Sequence, residues 1–525
     1  MNTGSVERVE TSRLRLQAQL DAKRTQRQRN ELGQFATPPR LAEDILRCAA
    51  GWLPAHQKIR FLDPAVGTGA FYAALCNVIP AARICEALGF EIDPHYGEPA
   101  AALWRNAGLD YRIADFTLAT AMPRFNLLVC NPPYVRHHHL RMEDKARLQS
   151  ATRAASGLEL SGLSGLYCHF LGLSHAWMAD GGLAGWLIPS EFMDVNYGRA
   201  LKRYLLDAVT LLQIHRFDPS DVQFADALVS SAVVWFRKAR PPQDHAVRFT
   251  FGGTLAEPRL SRQVAARALA EEPKWTRFPI AGVPRKTSFP TISDFFSIKR
   301  GVATGDNHYF ILSADQMEAR NLPREAFRPI LPSPRHLPHD QIEADECGCP
   351  QLTRQLFLLD TALSEPEIER RYPALFAYLQ EGRRRALPDR YLCRHRALWY
   401  AQESRPPAPI VCTYLGRGGA ARKRPFRFIL NRSQATAANV YLMMYPTPPL
   451  AGALARDPSL IERVWNVLKG ITAAELLGQG RVYGGGLHKL EPKELASVPV
   501  PRLMDVLPAD ARPVKPAVPA ERIAV

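Results

Sequence analysis

The 525-residue sequence lacks any apolar run approaching the roughly 18 residues that a membrane-spanning helix requires. Its first twenty residues, MNTGSVERVETSRLRLQAQL, also lack the apolar centre of a secretory signal peptide. Cysteine is scarce, with nine residues from Cys48 to Cys412 in no regular pattern, which argues against the disulfide framework of a small secreted domain. We therefore expect a protein that stays in the cytoplasm and has no membrane partner.

The sequence also has little that resembles a metal site. Cys347 and Cys349 in ECGCP, together with Cys393 and His395 in YLCRHR, are side chains of the kind that bind zinc. Their spacing, however, matches no common zinc module. The three histidines at 137–139 are consecutive, so they cannot all face one ion from a regular helix or strand. We expect no required metal, and we expect a basic loop at the histidine run.

Acidic residues are outnumbered by basic ones. The chain has 67 Lys and Arg against 51 Asp and Glu, a formal net charge of +16. Such a charge attracts a polyanion and binds it without reading its sequence. An anionic membrane is the alternative partner, but the basic segment at residues 19–35 lacks the apolar face of a membrane-surface helix. Nucleic acid is therefore the favoured partner.

Short apolar runs alternate with helical stretches in the first half of the chain. This alternation indicates an α/β domain with a largely parallel sheet. Its last two runs, LLQIHRF and SSAVVWFRK, are expected to form an antiparallel pair. Proline-rich segments then mark a domain boundary. The predicted organisation is a basic helical arm at 1–33, the α/β domain at 34–240, a connecting segment at 241–291, a mixed α+β domain at 292–505 and a flexible tail at 506–525.

A strand, a glycine turn and a helix are predicted in RFLDPAVGTGAFYAAL. The strand leads into Asp63, and Gly67 and Gly69 allow a ligand to approach the backbone at the end of the sheet. A tight turn without a ligand is the alternative. No Lys with Ser or Thr follows the glycines, so a phosphate loop is not supported. Glu91 lies 22 residues after Gly69, at the end of the next predicted strand. An acid at this position binds the hydroxyl groups of a ribose. Without phosphate-binding features, S-adenosylmethionine fits this pattern better than a dinucleotide.

The third and fourth strands end at the same crevice. The third ends at Asp115 and Phe116 in IADF, which suit the amino edge and the face of an adenine. The fourth ends at Asn131 in NPPY, 68 residues after Asp63, which leaves room for three strand-helix units. The sequence therefore predicts that the glycine turn, the acids and NPPY face one site.

The NPPY segment has the composition of a rigid amino-group clamp. Pro132 and Pro133 fix the turn, so that the side-chain oxygen of Asn131 and the carbonyl of Pro132 face one spot. Two acceptors that hold the N–H bonds of a base amino group favour a tetrahedral nitrogen and expose its lone pair to a methyl sulfonium. Tyr134 would stack on the base.

The motifs GQFATPP, DPAVGTG, FEID, ADF and NPPY, in that order, resemble those of γ-class DNA adenine-N6 methyltransferases, the group of the TaqI and PstI modification enzymes. NPPY alone also occurs in methyltransferases that act on protein glutamine or RNA bases, so the ordered set is the more specific signal. The resemblance implies a Rossmann-like S-adenosylmethionine-dependent domain with a mostly parallel seven-stranded sheet. It also implies a carboxyl-terminal target-recognition domain.

The resemblance implies roles for particular residues. Thr37 and Pro38 would close over the methionine part of the cofactor, and Asp63 would lie near its amino group. Phe224 would be a second aromatic for the flipped base, with a core phenylalanine as the alternative. The remaining cofactor residues implied are Ala65, Gly67 and Gly69 in the glycine turn, Glu91 on the ribose, and Ile92, Asp115 and Phe116 around the adenine.

A base amino group cannot be reached inside a duplex, so such an enzyme must extrude its target base. It therefore needs further contacts to the DNA, outside the catalytic site. Residues 298–312 and 482–501 resemble the start and end of a target-recognition domain. The candidate contacts to phosphates or guanine edges are Arg383, Arg384, Arg385, Arg422, Lys423 and Arg424.

We therefore expect a monomeric, site-specific DNA adenine-N6 methyltransferase that flips its target. It would be the modification component of a restriction-modification or related defence system, with a separate restriction endonuclease as a candidate partner. The enzymatic alternative is an RNA-base methyltransferase. The alternative from another class is a catalytically inert DNA-binding protein that keeps the fold.

Overall fold

The computed structural model describes residues 3–218, 223, 230–279, 289–417, 425–473, 475–476, 481–483 and 487–513. The chain forms two compact units. The first comprises residues 1–285 with 483–485, and the second comprises residues 286–482 with 486–525. None of the helices in the described part of the chain has the length and apolar character needed to cross a membrane.

The first unit is built around one nine-stranded sheet in the order β3-β2-β1-β4-β5-β7-β6-β8-β9. Strands β1 to β5 are mutually parallel, and β7 pairs antiparallel with both β5 and β6. The strands are β1 Ile59–Asp63, β2 Ile84–Glu91, β3 Asp110–Ile113, β4 Phe125–Cys130, β5 Met178–Pro189, β6 Thr210–Arg216, β7 Ser231–Arg237, β8 Ala246–Gly253 and β9 Pro258–Ala265. The predicted α/β class and the predicted antiparallel pair β6–β7 are confirmed.

Helices connect and cover these strands. They are α1 Thr3–Ala22, α2 Gln26–Leu32, α3 Pro39–Trp52, α4 Ala70–Val78, α5 Pro94–Trp104, α6 Met142–Ser156, α7 Leu166–Ser174, α8 Gly198–Asp207 and α9 Ala266–Glu271. The histidine run forms a short 3-10 helix, His137–His139, rather than an open loop.

Apolar side chains cover both faces of the sheet, as expected for parallel strands between helices. In β4, Leu128 and Cys130 belong to one apolar core, whereas Leu127 and Val129 belong to a second core. The run FNLLVC is therefore a buried strand with side chains on both faces. Its burial fixes the position of the NPPY turn that follows it.

The prediction that residues 241–291 form a connecting segment is wrong. Residues 246–265 form β8 and β9, which extend the sheet from the expected seven strands to nine. Strand β8 pairs parallel with β6, and β9 pairs antiparallel with β8. The prolines of KARPPQ thus belong to a turn between two strands of one sheet. The first unit extends past residue 240, to residue 285.

The second unit is mixed α+β, as predicted. A five-stranded sheet has the order β10-β19-β15-β17-β13, a four-stranded sheet has the order β11-β14-β12-β18, and β16 pairs antiparallel with β21. Its strands are β10 Phe296–Arg300, β11 Ile311–Ser313, β12 Phe327–Leu331, β13 Gln341–Ile342, β14 Leu356–Leu359, β15 Ile410–Thr413, β16 Leu415–Arg417, β17 Phe428–Asn431, β18 Thr436–Ala437, β19 Tyr441–Pro446, β20 Arg481–Tyr483 and β21 Leu487–Lys489.

Short helices flank these sheets. They are α10 Asn307–Phe310, α11 Ala314–Glu318, α12 Glu365–Arg371, α13 Pro373–Arg384, α14 Tyr391–Arg394, α15 Pro448–Arg456, α16 Leu460–Lys469, and two more at Pro492–Ala496 and Leu503–Val506.

The predicted flexible tail begins too early. Leu507 and Ala511 are each 2% exposed and belong to an apolar core of the second unit. The rest of the predicted tail, residues 514–525, lies outside the described residues.

The four side chains considered as zinc ligands have other partners or lie apart. The guanidinium of Arg324 donates to Cys349, and the ring of His395 is bonded to the backbone carbonyl of Tyr391. In the part of the chain that the structure describes, no group of three or more His, Cys, Asp or Glu is arranged to hold a metal ion.

The glycine turn between β1 and α4 gives a prediction about stability. Gly69 has φ +94°, and a Cβ added there would overlap the indole nitrogen of Trp104. We expect Gly69→Ala to lower the free energy of unfolding by about 2–5 kcal/mol, because strain and overpacking add. Gly51 in α3 is the matched control, since an added Cβ there meets nothing within 4 Å. Gly51→Ala should leave stability unchanged or raise it by about 1 kcal/mol. Urea unfolding measures both, and equal effects would contradict the packing argument.

Candidate functional site

A cavity of about 360 Å³ lies at the carboxyl ends of the parallel strands in the first unit. Ligand sites of this type occur where neighbouring strands of an open α/β sheet lead to opposite sides. The segment from Gly33 to Thr37 and the ends of β1, β2 and β4 all contribute to its wall. Of the residues predicted for the site, the cavity is lined by Thr37, Asp63, Ala65, Gly67, Glu91, Ile92, Asp115, Phe116, Asn131 and Pro133.

Asn131 is held by two hydrogen bonds from its amide nitrogen. Nδ2 donates to the carbonyl oxygen of Phe35 at 2.9 Å and to Oγ1 of Thr37 at 3.1 Å. These acceptors fix which way the amide faces, because its oxygen would repel the Phe35 carbonyl. Oδ1 is buried and has no hydrogen-bond partner in the described structure. A buried acceptor without a partner is costly, so the site is prepared for a ligand that supplies an N–H.

The segment before α3 and the NPPY turn approach each other closely. The backbone N–H of Tyr134 donates to the carbonyl of Gly33 at 3.1 Å. Gly33 has φ +66°, and a Cβ at this position would overlap the backbone of Tyr134. Glycine is therefore required for both the conformation and the contact. This contact brings the predicted GQFATPP and NPPY motifs together.

The glycine turn leaves open space on its cavity side. Gly67 has φ +53°, and a Cβ built on it meets no atom within 4 Å. The carbonyl of Gly67 accepts a hydrogen bond from the Tyr111 hydroxyl at 2.6 Å, and the indole of Trp104 donates to the carbonyl of Thr68 at 2.8 Å. These two aromatic side chains fix the turn from outside, so its inner face stays available to a ligand.

Two acids of the cavity are buried enough to favour the neutral form. Burial raises the pKa of Asp63 to about 8, although its Oδ1 accepts a hydrogen bond from the backbone of Ala65 at 3.1 Å. Burial likewise raises the pKa of Glu91 to about 7, although its Oε1 accepts from the backbone of Asp93 at 2.8 Å. A cationic ligand would favour the charged form of both acids.

The loop after Glu91 is tied to the start of the chain. Burial alone would raise the pKa of Asp93, but hydrogen bonds from Arg24 and Gln34 hold it below its ordinary value. Arg24 donates to Asp93 at 2.5 Å, and Gln34 donates to it at 2.7 Å. Asp93 also caps α5 by accepting from the backbone of His95 at 3.0 Å. The end of β2, which carries Glu91, is therefore held in place.

The ends of β2 and β3 provide side chains that suit an adenine ring. Ile92 lines the cavity and is 64% exposed, so its side chain is available for apolar contact with a ligand. Phe116 is buried and packs on Phe90 and Phe170 at ring-centroid distances of 5.5 and 5.4 Å. Oδ1 of Asp115 accepts from both the backbone and the hydroxyl of the next residue at 2.8 Å, which orients the carboxylate.

Sequence reasoning missed part of the cavity wall. Helix α1 contributes Arg13, Gln17 and Asp21, whereas the sequence predicted only a basic arm there. Their spacing of four residues places them on one face of a helix, and this polar stripe was the available signal. Helices α6 and α7 contribute Arg147 and Phe170 respectively.

Four of the predicted residues lie beside the cavity rather than in its wall. Pro38 precedes α3 as its N-cap, Gly69 precedes α4, and Pro132 is buried. The ring of Tyr134 is 9% exposed, and its hydroxyl donates to the carbonyl of Leu187 at 2.9 Å. Phe224 and the basic residues Arg422, Lys423 and Arg424 lie outside the described residues.

The three consecutive arginines of the second unit differ in their surroundings. Arg383 forms an ion pair with Glu365 at 2.6 Å, which raises the pKa of this guanidinium. Arg385 forms an ion pair with Asp306 at 3.3 Å. All three arginines are exposed. Their predicted contact with DNA stays a prediction.

The residues present fit S-adenosylmethionine. The cofactor carries an adenine, a ribose, a sulfonium and an amino-acid group. The cavity provides an exposed apolar side chain, an acid at the end of β2, and two buried acids with raised pKa values that a cation would ionise. The group would supply the methyl, and the protein would bind and orient it.

Comparisons with known proteins find similarity to DNA-modification enzymes. A family model described as Eco57I restriction-modification methylase matches residues 102–223, and one for the carboxyl-terminal domain of the type II methyltransferase M.Eco57I matches residues 277–524. The type II methyltransferase M.XamI of Xanthomonas campestris pv. amaranthicola is 29% identical over 482 residues, which cover 87% of this chain and 84% of that protein. M.AccI of Acinetobacter calcoaceticus is 24% identical over 487 residues, which cover 89% and 85% respectively.

Among solved structures, the type IIG restriction endonuclease BpuSI matches with a TM-score of 0.42 and 15% identity. The match covers 90% of this chain and 59% of that one, so the chain spans about three fifths of that structure's length. Over most of its length the chain is therefore similar to type II methyltransferases of restriction-modification systems, and this similarity supports the use of S-adenosylmethionine.

Proposed function

We propose that the protein methylates N6 of an adenine flipped out of duplex DNA, as the modification component of a restriction-modification system. The observation that carries this proposal is the orphaned Oδ1 of Asn131 at the end of β4. The order of the five motifs supports the γ-class assignment. A base amino group is a chemically matched ligand for this acceptor, because it brings the N–H that the site lacks.

In the proposed chemistry, this chain only positions the base amino group and the methyl donor. Oδ1 of Asn131 accepts one N–H of the base amino group, and the carbonyl of Pro132 accepts the other. This removes the lone pair from conjugation with the ring and directs it at the methyl carbon. The N–C bond would form as the S–C bond breaks, and the methylated nitrogen would release one proton to solvent. Cys130 takes no part as a nucleophile, in keeping with burial that raises its pKa well above the ordinary value.

Tyr134 stays the predicted stacking platform for the flipped base. Its hydroxyl bond to Leu187 and its packing against Phe35, at a ring-centroid distance of 5.6 Å, hold the ring in one orientation. A ring fixed at its far end loses little freedom when a base stacks on it.

Duplex DNA is the proposed substrate because of the net charge and the exposed basic residues of the second unit. The exposed arginines at 383–385 are the proposed contacts among the described residues. Base flipping is part of the proposal because the amino group of a paired adenine is not accessible within the helix. A separate endonuclease is the proposed partner, and it would cleave the same DNA sequence when it is unmodified.

The product of the reaction tests the proposed function. The purified protein is incubated with unmethylated genomic DNA and isotopically labelled S-adenosylmethionine, and the digested nucleosides are separated by mass spectrometry. We expect the label in N6-methyladenine, and single-molecule sequencing should place it in one recurring sequence. Label found only in methylcytosine would contradict the adenine assignment. Label found in RNA but not in DNA would contradict the substrate class.

Asn131→Ala tests the amino-group clamp. We expect at least about a 100-fold loss of methyl transfer, since an oriented acceptor that acts in the transition state is removed. Binding of S-adenosylmethionine, measured by calorimetry, should change little. Asn126→Ala is the control, because Asn126 lies at the other end of β4 and bonds only to the backbone of Lys58 and Arg60. A near-normal turnover of the Asn131 variant would exclude the clamp.

The raised pKa of Asp63 predicts proton release on cofactor binding. At pH 6.5 an acid with a pKa of about 8 is protonated, whereas the α-amino group of the cofactor, with a pKa of about 7.7, is charged. The ammonium favours ionised Asp63, so the acid loses its proton and cofactor affinity rises with pH up to about 8.

Calorimetry in buffers of different ionisation enthalpy measures this release. We expect up to one proton per cofactor at pH 6.5, and we expect Asp63→Asn to remove most of it while keeping the acceptor for the Ala65 backbone. Glu91, with a pKa of about 7, accounts for the remainder. Equal proton release by the wild type and the Asn variant would show that Asp63 does not meet the ammonium.

A further inference from the structure

A buried arginine lines the cofactor cavity, and the proposed methyl transfer does not use it. Arg13, in α1, is 1% exposed and lines the cavity. Its Nε and Nη2 donate to the carboxylate of Glu10 at 2.7 and 2.6 Å, and its Nη1 donates to Oγ1 of Thr68 at 3.1 Å. Thr68 stands between the two glycines of the turn that precedes α4. The guanidinium therefore reaches from the amino-terminal helix to the glycine turn.

The hydrogen bonds of Arg13 leave part of its capacity unused. A guanidinium has five N–H groups, and the bonds to Glu10 and Thr68 use three of them. Among the described residues, one N–H on each terminal nitrogen has no hydrogen-bond partner. Two such donors on adjacent nitrogens match the two oxygens of a carboxylate.

The charges around the cavity show why a carboxylate needs this residue. Five of the residues that line the cavity are acids, namely Asp21, Asp63, Glu91, Asp115 and Asp144. S-adenosylmethionine carries a carboxylate as well as two positive groups. In a cavity lined by acids, that carboxylate is repelled unless a cation compensates it. The cations among the described lining residues are Arg13 and Arg147.

The two arginines lie in different parts of the cavity wall. Arg147 donates to the backbone and hydroxyl oxygens of Thr117 at 3.3 and 3.2 Å, next to Asp115 and Phe116 on the adenine side, and is 35% exposed. Arg13 contacts the glycine turn and is excluded from water. A buried charge interacts more strongly with a ligand than an exposed one does.

We infer that Arg13 binds the methionine carboxylate of S-adenosylmethionine. Thr68 positions the guanidinium, because its hydroxyl accepts from Arg13 and donates to Oε1 of Gln17 at 2.6 Å. Glu10 holds the opposite side of the guanidinium. The amino-terminal helix is thereby a part of the cofactor site rather than a separate arm. This inference depends on cofactor use and not on which base is methylated.

Decarboxylated S-adenosylmethionine, which lacks only the carboxylate, provides the test. Calorimetry gives the dissociation constants of both ligands for the wild type and for Arg13→Gln. The quantity compared is the ratio of the two constants, so that any general weakening of the site cancels. We expect Arg13→Gln to weaken S-adenosylmethionine by about tenfold or more relative to the decarboxylated ligand, because a charge-assisted pair of hydrogen bonds is lost.

Three further variants make the result decisive. Glu10→Gln/Arg13→Gln removes the unpaired glutamate that the single variant leaves behind, and it should show the same change in the ratio. Arg13→Lys keeps the charge and should keep part of the discrimination, even if Arg13→Gln fails to fold. Arg147→Gln is the matched control and should leave the ratio unchanged.

The alternatives have distinct outcomes. If Arg13 only attaches α1 to the glycine turn, both ligands weaken equally and the ratio stays constant, which would overturn the inference. If the carboxylate meets the other cation, the ratio changes in Arg147→Gln instead, which would also overturn it. Failure of the adenine assignment would appear in the methylated nucleoside and would leave these binding ratios unaffected.

Discussion

The site depends on one interaction, the pair of hydrogen bonds from the Asn131 amide to Phe35 and Thr37. Asn131 and Phe35 are 96 residues apart in sequence. The bonds join the segment before α3 to the turn after β4, and the contact between Gly33 and Tyr134 reinforces them. Both donors of the amide are used on one side, so its oxygen must face the other way. The orientation of the proposed clamp therefore depends on a contact between two distant motifs.

The parts of the fold and site that the sequence predicted have strong local signals. Strands β1, β2 and β4 are apolar runs that end in a polar or glycine-containing turn, and parallel strands end at a common edge. This regularity brings Asp63, Glu91 and Asn131 to one cavity. The two glycines with positive φ were also predictable, because no other residue adopts that conformation easily.

The parts that were missed depend on tertiary contacts. Arg13 looks like an ordinary residue of a polar helix, and only the placement of α1 against Thr68 buries it. The prolines before β8 indicate a boundary in sequence, but in the structure they occupy a turn within one sheet. Tyr134 illustrates the same limit, because the sequence places a ring after the turn but does not show that its hydroxyl reaches Leu187. Local pattern gives the element, and long-range packing decides its partner.

The wall formed by the amino-terminal helices is held differently from the rest of the cavity. Between residues 9 and 32, only Arg13 and Leu20 are buried, whereas the sheet ends rest on extensive apolar cores. Polar contacts such as Arg13 to Thr68 and Arg24 to Asp93 attach this wall to the glycine turn and to the loop after Glu91. Each such bond to a charged group contributes about 1.5–3 kcal/mol net, less than the burial of an extensive apolar core, so this wall opens at a lower cost than the sheet. A ligand that bonds to both sides stabilises the closed wall by the same free energy with which the wall increases the ligand's affinity. The proposed contact of Arg13 with the cofactor would therefore couple cofactor binding to closure of this wall.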